Sequence, residues 1–171
     1  MTPEFSRLFA LDTIGTTPRD VAITADEAER AALAGRFALQ RIDMLTAETS
    51  LVACAAGVEA TGRIVARVVQ YCAATGEPVP VAIDEPFTIR FVDPVLLAAG
   101  DTEVELNSDD LDVVALDGGN LDLGEAAAQT LGLALDPFPR SPKAPPEGEV
   151  VWRSGPDAGP FAGLKGLLGE P

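Results

Sequence analysis

The sequence predicts a single α+β domain: a twisted antiparallel β-sheet with a long central hairpin, two packed helices and a Pro/Gly-rich C-terminal tail. Three observations lead to this fold class. Apolar residues recur at alternate positions in the segment that ends at Phe91, two segments carry helix-start signals, and proline and glycine are concentrated near the C-terminus. At 171 residues and 47% hydrophobic, the chain can bury one sizeable core. We therefore predict one domain over residues 1–136 and a tail over residues 137–171.

Three long strands are predicted between residues 39 and 91. The segments "LQRIDMLTAETSLVAC" and "GVEATGRIVARVVQYC" form the first two, with Gly57 near the turn between them. In the third, apolar residues from Val79 to Phe91 alternate with polar ones, as in a half-buried antiparallel strand. Shorter strands are predicted in "EFSRLFAL", in "DVAIT" and at residues 103–106 and 112–116.

The second and third long strands are predicted to pair as a hairpin. Placing Ala60 opposite Phe91, and Cys72 opposite Val79, turns both apolar faces the same way. A slip of one residue would send one apolar face to solvent, so the pattern favours this parity. The connection is then residues 73–78, where Gly76 is the natural position for a positive φ.

The first helix is predicted from about Ala25 to Phe37. Thr24 followed by Glu27 fits a capping box, and Asp26 with Arg30 fits a helical ion pair.

The second helix is predicted in "LDLGEAAAQTLGLALDP". Asp122 can cap it, Glu125 sits at the matching third position, and Asp136-Pro137 ends it. Leu123, Ala127, Leu131 and Ala134 form its inward stripe.

The tail holds eight of the fourteen prolines and six of the sixteen glycines. This concentration of proline and glycine predicts an extended linker rather than a packed helix or strand. The closing "GPFAGLKGLLG" is a short apolar segment that can dock on this protein or on a partner.

Composition excludes several classes of function. The chain has no histidine, which removes histidine-dependent catalysis, and its formal net charge is −15. Such acidity disfavours nonspecific phosphate binding by the body of the protein. Two cysteines make no disulfide framework, and no signal sequence or membrane span is predicted, so we expect a cytoplasmic protein.

No cofactor or metal is predicted. A zinc knuckle needs paired ligands, but Cys72 is followed at the expected partner position by Thr75. Cys72 is instead predicted to be a buried, inert side chain, and Gln70, on the same face, should need a buried partner. A cation site among Asp109, Asp110, Asp112 and Asp117 is the open alternative.

The candidate partner-binding residues fall into three groups. Three arginines share the outward parity of neighbouring strands, the hairpin loop is displayed at one end of the sheet, and the tail combines basic with aromatic residues. They are Arg63, Arg67 and Arg90; Thr75, Gly76, Glu77 and Pro78; and Arg140, Lys143, Trp152, Arg153 and Phe161.

The order of landmarks along the chain resembles the YceD family, the large ribosomal RNA subunit accumulation proteins, in their alphaproteobacterial form. The landmarks are "EFSR", "ADEAERAALAGRF", "GRIVARVVQYCAATGEPVPVAIDEPFTIRF", "LDLGEAAAQTLGLALDPFPRSP" and "GPFAGLKGL". Many members carry Cys-x-x-Cys at the hairpin, from which this chain departs at Thr75.

The resemblance implies a non-enzymatic factor needed for accumulation of large-subunit (23S) rRNA. Its partner would be pre-rRNA, an assembly intermediate or a basic ribosomal protein. The alternatives are a small carboxylate/metal-dependent enzyme and an acidic adaptor or chaperone unrelated to ribosomes. The sequence makes no prediction of oligomeric state.

Overall fold

The described part of the chain forms one five-stranded sheet, one two-stranded sheet and two α-helices, which confirms the α+β prediction. The computed structural model describes residues 3–55, 57–93, 112–116 and 118–145. A 3₁₀ turn occupies Leu11–Thr13. The strands and α-helices in chain order are β1 (Leu8–Ala10), β2 (Arg19–Thr24), α1 (Glu27–Arg36), β3 (Arg41–Cys54), β4 (Gly57–Tyr71), β5 (Pro78–Val92), β6 (Asp112–Ala115), β7 (Asn120–Asp122) and α2 (Leu123–Ala134).

The large sheet has the strand order β2-β3-β4-β5-β6, and β1 pairs with β7 beside it. All pairs in the large sheet are antiparallel except β5 with β6, which is parallel. The sheet is therefore mixed, not purely antiparallel. Two consecutive strands can pair in parallel only through a crossover connection of about a dozen residues or more. Residues 93–111, which link β5 to β6, are numerous enough for such a crossover.

The core lies on one face of the large sheet. Alternate residues of β3, β4 and β5 are buried on this face, where α1 packs on β3 and α2 packs on β4 and β5. Helix α1 contributes Leu33, and α2 contributes Leu123, Ala127 and Leu131, as the predicted inward stripe requires. The opposite face of β2–β5, which we call the outer face, carries mainly exposed side chains.

The predicted parity of the β4–β5 hairpin is correct, but its register is wrong by two residues. Ala60 faces Ile89 rather than Phe91, and Val79 faces Gln70 rather than Cys72. A shift of two residues keeps every side chain on its predicted face, so apolar alternation cannot distinguish the two registers. Loop length does not distinguish them either, because the predicted loop 73–78 and the observed loop 72–77 are equally long; the hydrogen bonds within residues 72–77 accompany the observed register.

Helix α1 begins two residues later than predicted, and the predicted capping box is wrong. Asp26 is the N-cap: its carboxylate accepts the Glu29 N–H, and the Glu29 carboxylate accepts the Asp26 N–H. The Asp26–Arg30 ion pair is also wrong, because the Arg30 guanidinium donates to the Ala25 carbonyl instead.

Helix α2 begins as predicted, with Asp122 accepting the N–H groups of Gly124 and Glu125. The predicted strand at 112–116 is confirmed as β6, whereas the one at 103–106 lies outside the described residues. The domain boundary at residue 136 stays a prediction.

Candidate interaction surface at the hairpin end

A tight loop, Cys72 to Glu77, closes the β4–β5 hairpin. The Cys72 N–H donates to the Glu77 carbonyl at 2.7 Å, and the Gly76 N–H donates to the Cys72 carbonyl at 2.8 Å. Gly76 has a φ of +73°, as predicted, which a residue without Cβ adopts without strain. Thr75, Gly76, Glu77 and Pro78 are all exposed at the tip.

Residues 136–145, which we call the strap, lie against this loop. The Ala73 N–H donates to the Pro139 carbonyl at 2.8 Å, and the Gln70 amide donates to the Asp136 carbonyl at 2.9 Å. The buried Gln70 thus has the partner that its position on the apolar face demands. The strap is the first part of the predicted linker, and the contacts hold it at the hairpin end.

The thiol of Cys72 lies beneath the strap. Its side chain is only 3% exposed, which confirms the inward placement. The Ser141 N–H donates to the sulfur at 3.3 Å. This N–H, followed by the Thr75 hydroxyl and the N–H groups of Ala74 and Thr75, lowers the pKa of Cys72 from 9.0 to about 7, against the opposing effect of burial. Thr75 therefore supplies a hydrogen bond at the second position of Cys-x-x-Cys.

The strap brings two groups of predicted binding residues together. Arg140 and Lys143 are exposed on the strap, next to the loop that displays Thr75 and Glu77. Ser141 ties the two segments, since its hydroxyl bonds to the Glu77 carboxylate at 3.4 Å. Trp152, Arg153 and Phe161 lie outside the described residues.

The third group, the sheet arginines, lies apart from this surface and is largely neutralised. Arg63 forms an ion pair with Asp84, and Arg90 forms one with Glu59 at 3.4 Å. Asp84 raises the pKa of Arg63 through its hydrogen bond and its charge. Arg67 contacts the Met44 sulfur at 3.7 Å and has no carboxylate partner among the described residues. The two ion pairs therefore offer little net positive charge, and Arg67 keeps its own.

By contrast, the strap cations have no carboxylate partner within the described part of the chain. The Arg140 guanidinium donates to the Pro145 carbonyl, and the Lys143 N–H donates to the Ser141 hydroxyl oxygen. Within the described residues, no carboxylate therefore opposes either side-chain charge.

Two aromatic residues that the sequence analysis did not select are exposed at the same end. Tyr71 is 49% exposed at the last pair of the hairpin, and Phe138 is 74% exposed within the strap. A phenylalanine so open to solvent suggests a contact surface. The signal was present in "DPFPR", where prolines on both sides keep Phe138 out of a helix or sheet.

A second cluster, the N-terminal clamp, joins the N-terminal segment to both helices. Arg7 forms a bidentate pair with Glu29, and Arg36 forms one with Glu125. Each arginine lowers the pKa of its carboxylate, chiefly through the side-chain hydrogen bond. These pairs stabilise the fold above the ordinary carboxylate pKa and lose that effect in acid. The clamp is defined by Glu4, Ser6, Arg7, Glu29, Arg36, Asp122 and Glu125.

An open trough of about 940 Å³ crosses the outer face from β2 to β5. Asp20 and Glu48 line it from adjacent strands, as does the Arg63–Asp84 pair. Neither Asp20 nor Glu48 has an ion-pair partner among the residues described. The trough therefore carries an excess of negative charge.

The alternative cation site rests almost entirely on residues outside the described ranges. Asp112 alone of its four carboxylates falls within them, in β6. In the described ranges, no three Cys, Asp or Glu side chains are placed to share a metal ion.

None of the helices described is long and apolar enough to cross a bilayer.

The fold defines a small α+β protein with a mixed sheet and a hairpin end bound by its own strap. Residues 60–168 match the model of the family described as "Large ribosomal RNA subunit accumulation protein YceD". The chain belongs to the YceD family. No curated protein and no solved structure matches it significantly.

Proposed function

We propose that this protein is a non-enzymatic cytoplasmic factor that supports accumulation of the large-subunit rRNA. It does so by binding pre-rRNA, free or within an assembly intermediate, through the hairpin end. The observation that carries the proposal is the convergence of the loop and the strap, where Arg140 and Lys143 have no carboxylate partner among the described residues, in a chain of this family.

The charge distribution supports a confined contact. A net charge of −15 repels phosphate over most of the surface, so RNA can approach only where cations are unopposed. At the hairpin end, Arg140 and Lys143 meet this condition among the described residues, whereas Arg63 and Arg90 are already paired with carboxylates and Arg67 lies on the outer face.

The exposed aromatic rings indicate which form of RNA fits. Unpaired bases stack on exposed aromatic side chains, and each such contact contributes about 1–3 kcal/mol. Tyr71 and Phe138 offer rings at the same end as the two strap cations. The proposed ligand is therefore a single-stranded or looped region.

The outer trough favours a second candidate, a basic protein of the large subunit. Asp20 and Glu48 would attract a lysine- or arginine-rich segment, because complementary charge speeds encounter and disfavours wrong partners.

The test is crosslinking in cells with the tagged full-length protein, with crosslinks mapped to both nucleotide and residue. The paired variant Arg140→Gln/Lys143→Gln should recover less large-subunit rRNA by roughly tenfold, because two charge-assisted contacts are lost.

The matched control is Arg63→Gln/Arg90→Gln, which removes the same charge from paired, exposed arginines and should leave recovery nearly unchanged. Protein crosslinks concentrated at the outer trough would favour the second candidate. Recovery of neither large-subunit rRNA nor ribosomal proteins would refute the proposed function and favour an adaptor unrelated to ribosomes.

A further inference from the structure

The contacts that hold the strap are few and local. Two main-chain N–H groups, one side-chain amide and one hydroxyl take part, and no salt bridge joins the described part of the strap to the sheet. The Gln70 amide is only half satisfied, because its buried Oε1 has no partner within the described chain. Buried polar atoms without partners weaken the state that buries them. The closed strap is thus much less stable than the sheet it covers.

The strap is also separable from the core. The buried hydrophobic residues of the described core lie between Phe5 and Leu131, and within the strap only Pro139 is buried. Segments with few buried apolar contacts open locally at a lower free energy than the whole fold.

We propose that the strap is a latch: residues 136–145 close over the hairpin loop through Cys72, and open as a unit while the sheet and helices stay folded. The Ser141 N–H, which donates to the Cys72 sulfur, is the central contact of the closed form. Opening removes the cover from the thiol.

Ionisation of the Cys72 thiol favours the closed state of the latch. Donors aimed at the sulfur favour the thiolate, and the pKa of Cys72 is lowered to about 7 in the closed form. Opening removes the Ser141 N–H, the largest of these contributions, and leaves the donors of the loop in place, so the pKa of the thiol rises on opening and the thiolate stabilises closure. Closure is therefore stronger above pH 7 and weaker below it.

This inference deepens the proposed function, because the latch holds Arg140, Lys143 and Phe138 beside the hairpin loop. Only the biological role of the latch, which is to control when the RNA-binding surface is presented, rests on the proposed function. The latch itself is tested on purified protein without RNA, so its failure and that of the proposed function are distinguishable.

The first test measures labelling of Cys72 by a small uncharged maleimide in the full-length protein carrying Cys54→Ser. Cys54 is exposed and would otherwise label first. Ser141→Pro removes the N–H that donates to the sulfur and should accelerate labelling by roughly two- to tenfold. Ser141→Ala keeps this N–H and loses only the 3.4 Å hydroxyl contact with Glu77, so it should accelerate labelling clearly less than Ser141→Pro does.

Two results would overturn the latch. One is labelling of the parent only at the rate of global unfolding, unchanged by Ser141→Pro. The other is equal acceleration in Ser141→Pro and Ser141→Ala, which would mean that the N–H to sulfur contact does not hold the strap.

The second test measures hydrogen exchange at the Ala73 amide, which donates to the strap at Pro139. From pH 6 to pH 8, its protection factor should rise several-fold, and about tenfold is the upper limit set by a pKa of about 7 when closed and of 9.0 for a thiol without any donor. The Ala25 amide, bonded to Leu45 in the body, should show no such rise.

Cys72→Ala should abolish the rise, and Cys72→Ser gives a second non-titrating variant if alanine impairs folding. Both variants keep the other titratable side chains of the hairpin end and strap, which are Tyr71, Glu77, Asp136, Arg140 and Lys143. Protection that is flat with pH in the parent, or that rises equally in the variants, would show that the thiol does not hold the latch.

Discussion

At the scale of single residues, Asp122 makes contacts that the sequence revealed only in part. Its spacing before α2 predicted a helix cap, and the carboxylate does accept the Gly124 and Glu125 N–H groups at 3.0 and 3.2 Å. It also accepts the Ser6 hydroxyl at 2.6 Å and the Arg7 N–H at 2.8 Å. The landmarks "EFSR" and "LDLGE" are therefore two halves of one clamp, which local spacing cannot show.

Asp122→Ala is expected to lower the free energy of unfolding by about 2–4 kcal/mol. The change removes the cap of α2 and leaves two donors of the N-terminal segment without their acceptor. Chemical denaturation followed by circular dichroism measures the loss.

Asp122→Asn is the matched control, because it keeps the shape and one acceptor oxygen and should cost less than alanine. An alanine variant within about 0.5 kcal/mol of the parent would contradict the clamp, since that is the range of ordinary surface substitutions.

At the scale of elements, the β3–β4 hairpin depends on a close approach at Gly62. A Cβ at this position would lie 2.2 Å from the Glu48 carbonyl oxygen and 2.9 Å from the Thr49 hydroxyl. Both neighbours belong to β3, and the first is backbone that cannot rotate away. Glycine here allows the two strands to run closer than any side chain would permit.

Gly62→Ala is expected to destabilise the protein by about 3 kcal/mol, because the methyl group forces β3 and β4 apart. Gly35→Ala is the control: Gly35 lies in α1 with open space around its Cα, and alanine should stabilise the helix by about 0.5–1 kcal/mol. Thermal unfolding distinguishes the two signs. A neutral Gly62→Ala would mean that the strands can separate at no cost.

Two features of the large sheet, the β4–β5 register and the parallel β5–β6 pair, were not predicted correctly from the sequence. Alternation placed Ile64 and Cys72 on the correct face, but the register needed the loop geometry, which depends on contacts within residues 72–77. The parallel β5–β6 pair was missed because strand direction across a long connection leaves no local pattern.

At the scale of the whole molecule, the candidate surface joins segments that are distant in the sequence. The loop was predicted, and Arg140 and Lys143 were selected, but nothing in either segment indicated that they meet. The Cys72–Ser141 contact spans 69 positions, and its donor is a main-chain N–H that every residue except proline possesses. Such a contact is invisible to composition and spacing.

Two truncations test how the strap relates to the domain. Ending the chain after Pro145 should leave cooperative unfolding and the burial of Cys72 unchanged, because the described core and all strap contacts are retained.

Ending the chain after Leu135 should also give a folded domain, but one less stable by about 1–3 kcal/mol, because the Gln70 amide loses its partner. Its Cys72 should label nearly as fast as a free thiol. Equilibrium denaturation and maleimide labelling measure both effects on the same samples. Loss of cooperative unfolding in the shorter form would show that the strap belongs to the core, and a protected Cys72 there would show that the strap does not cover it.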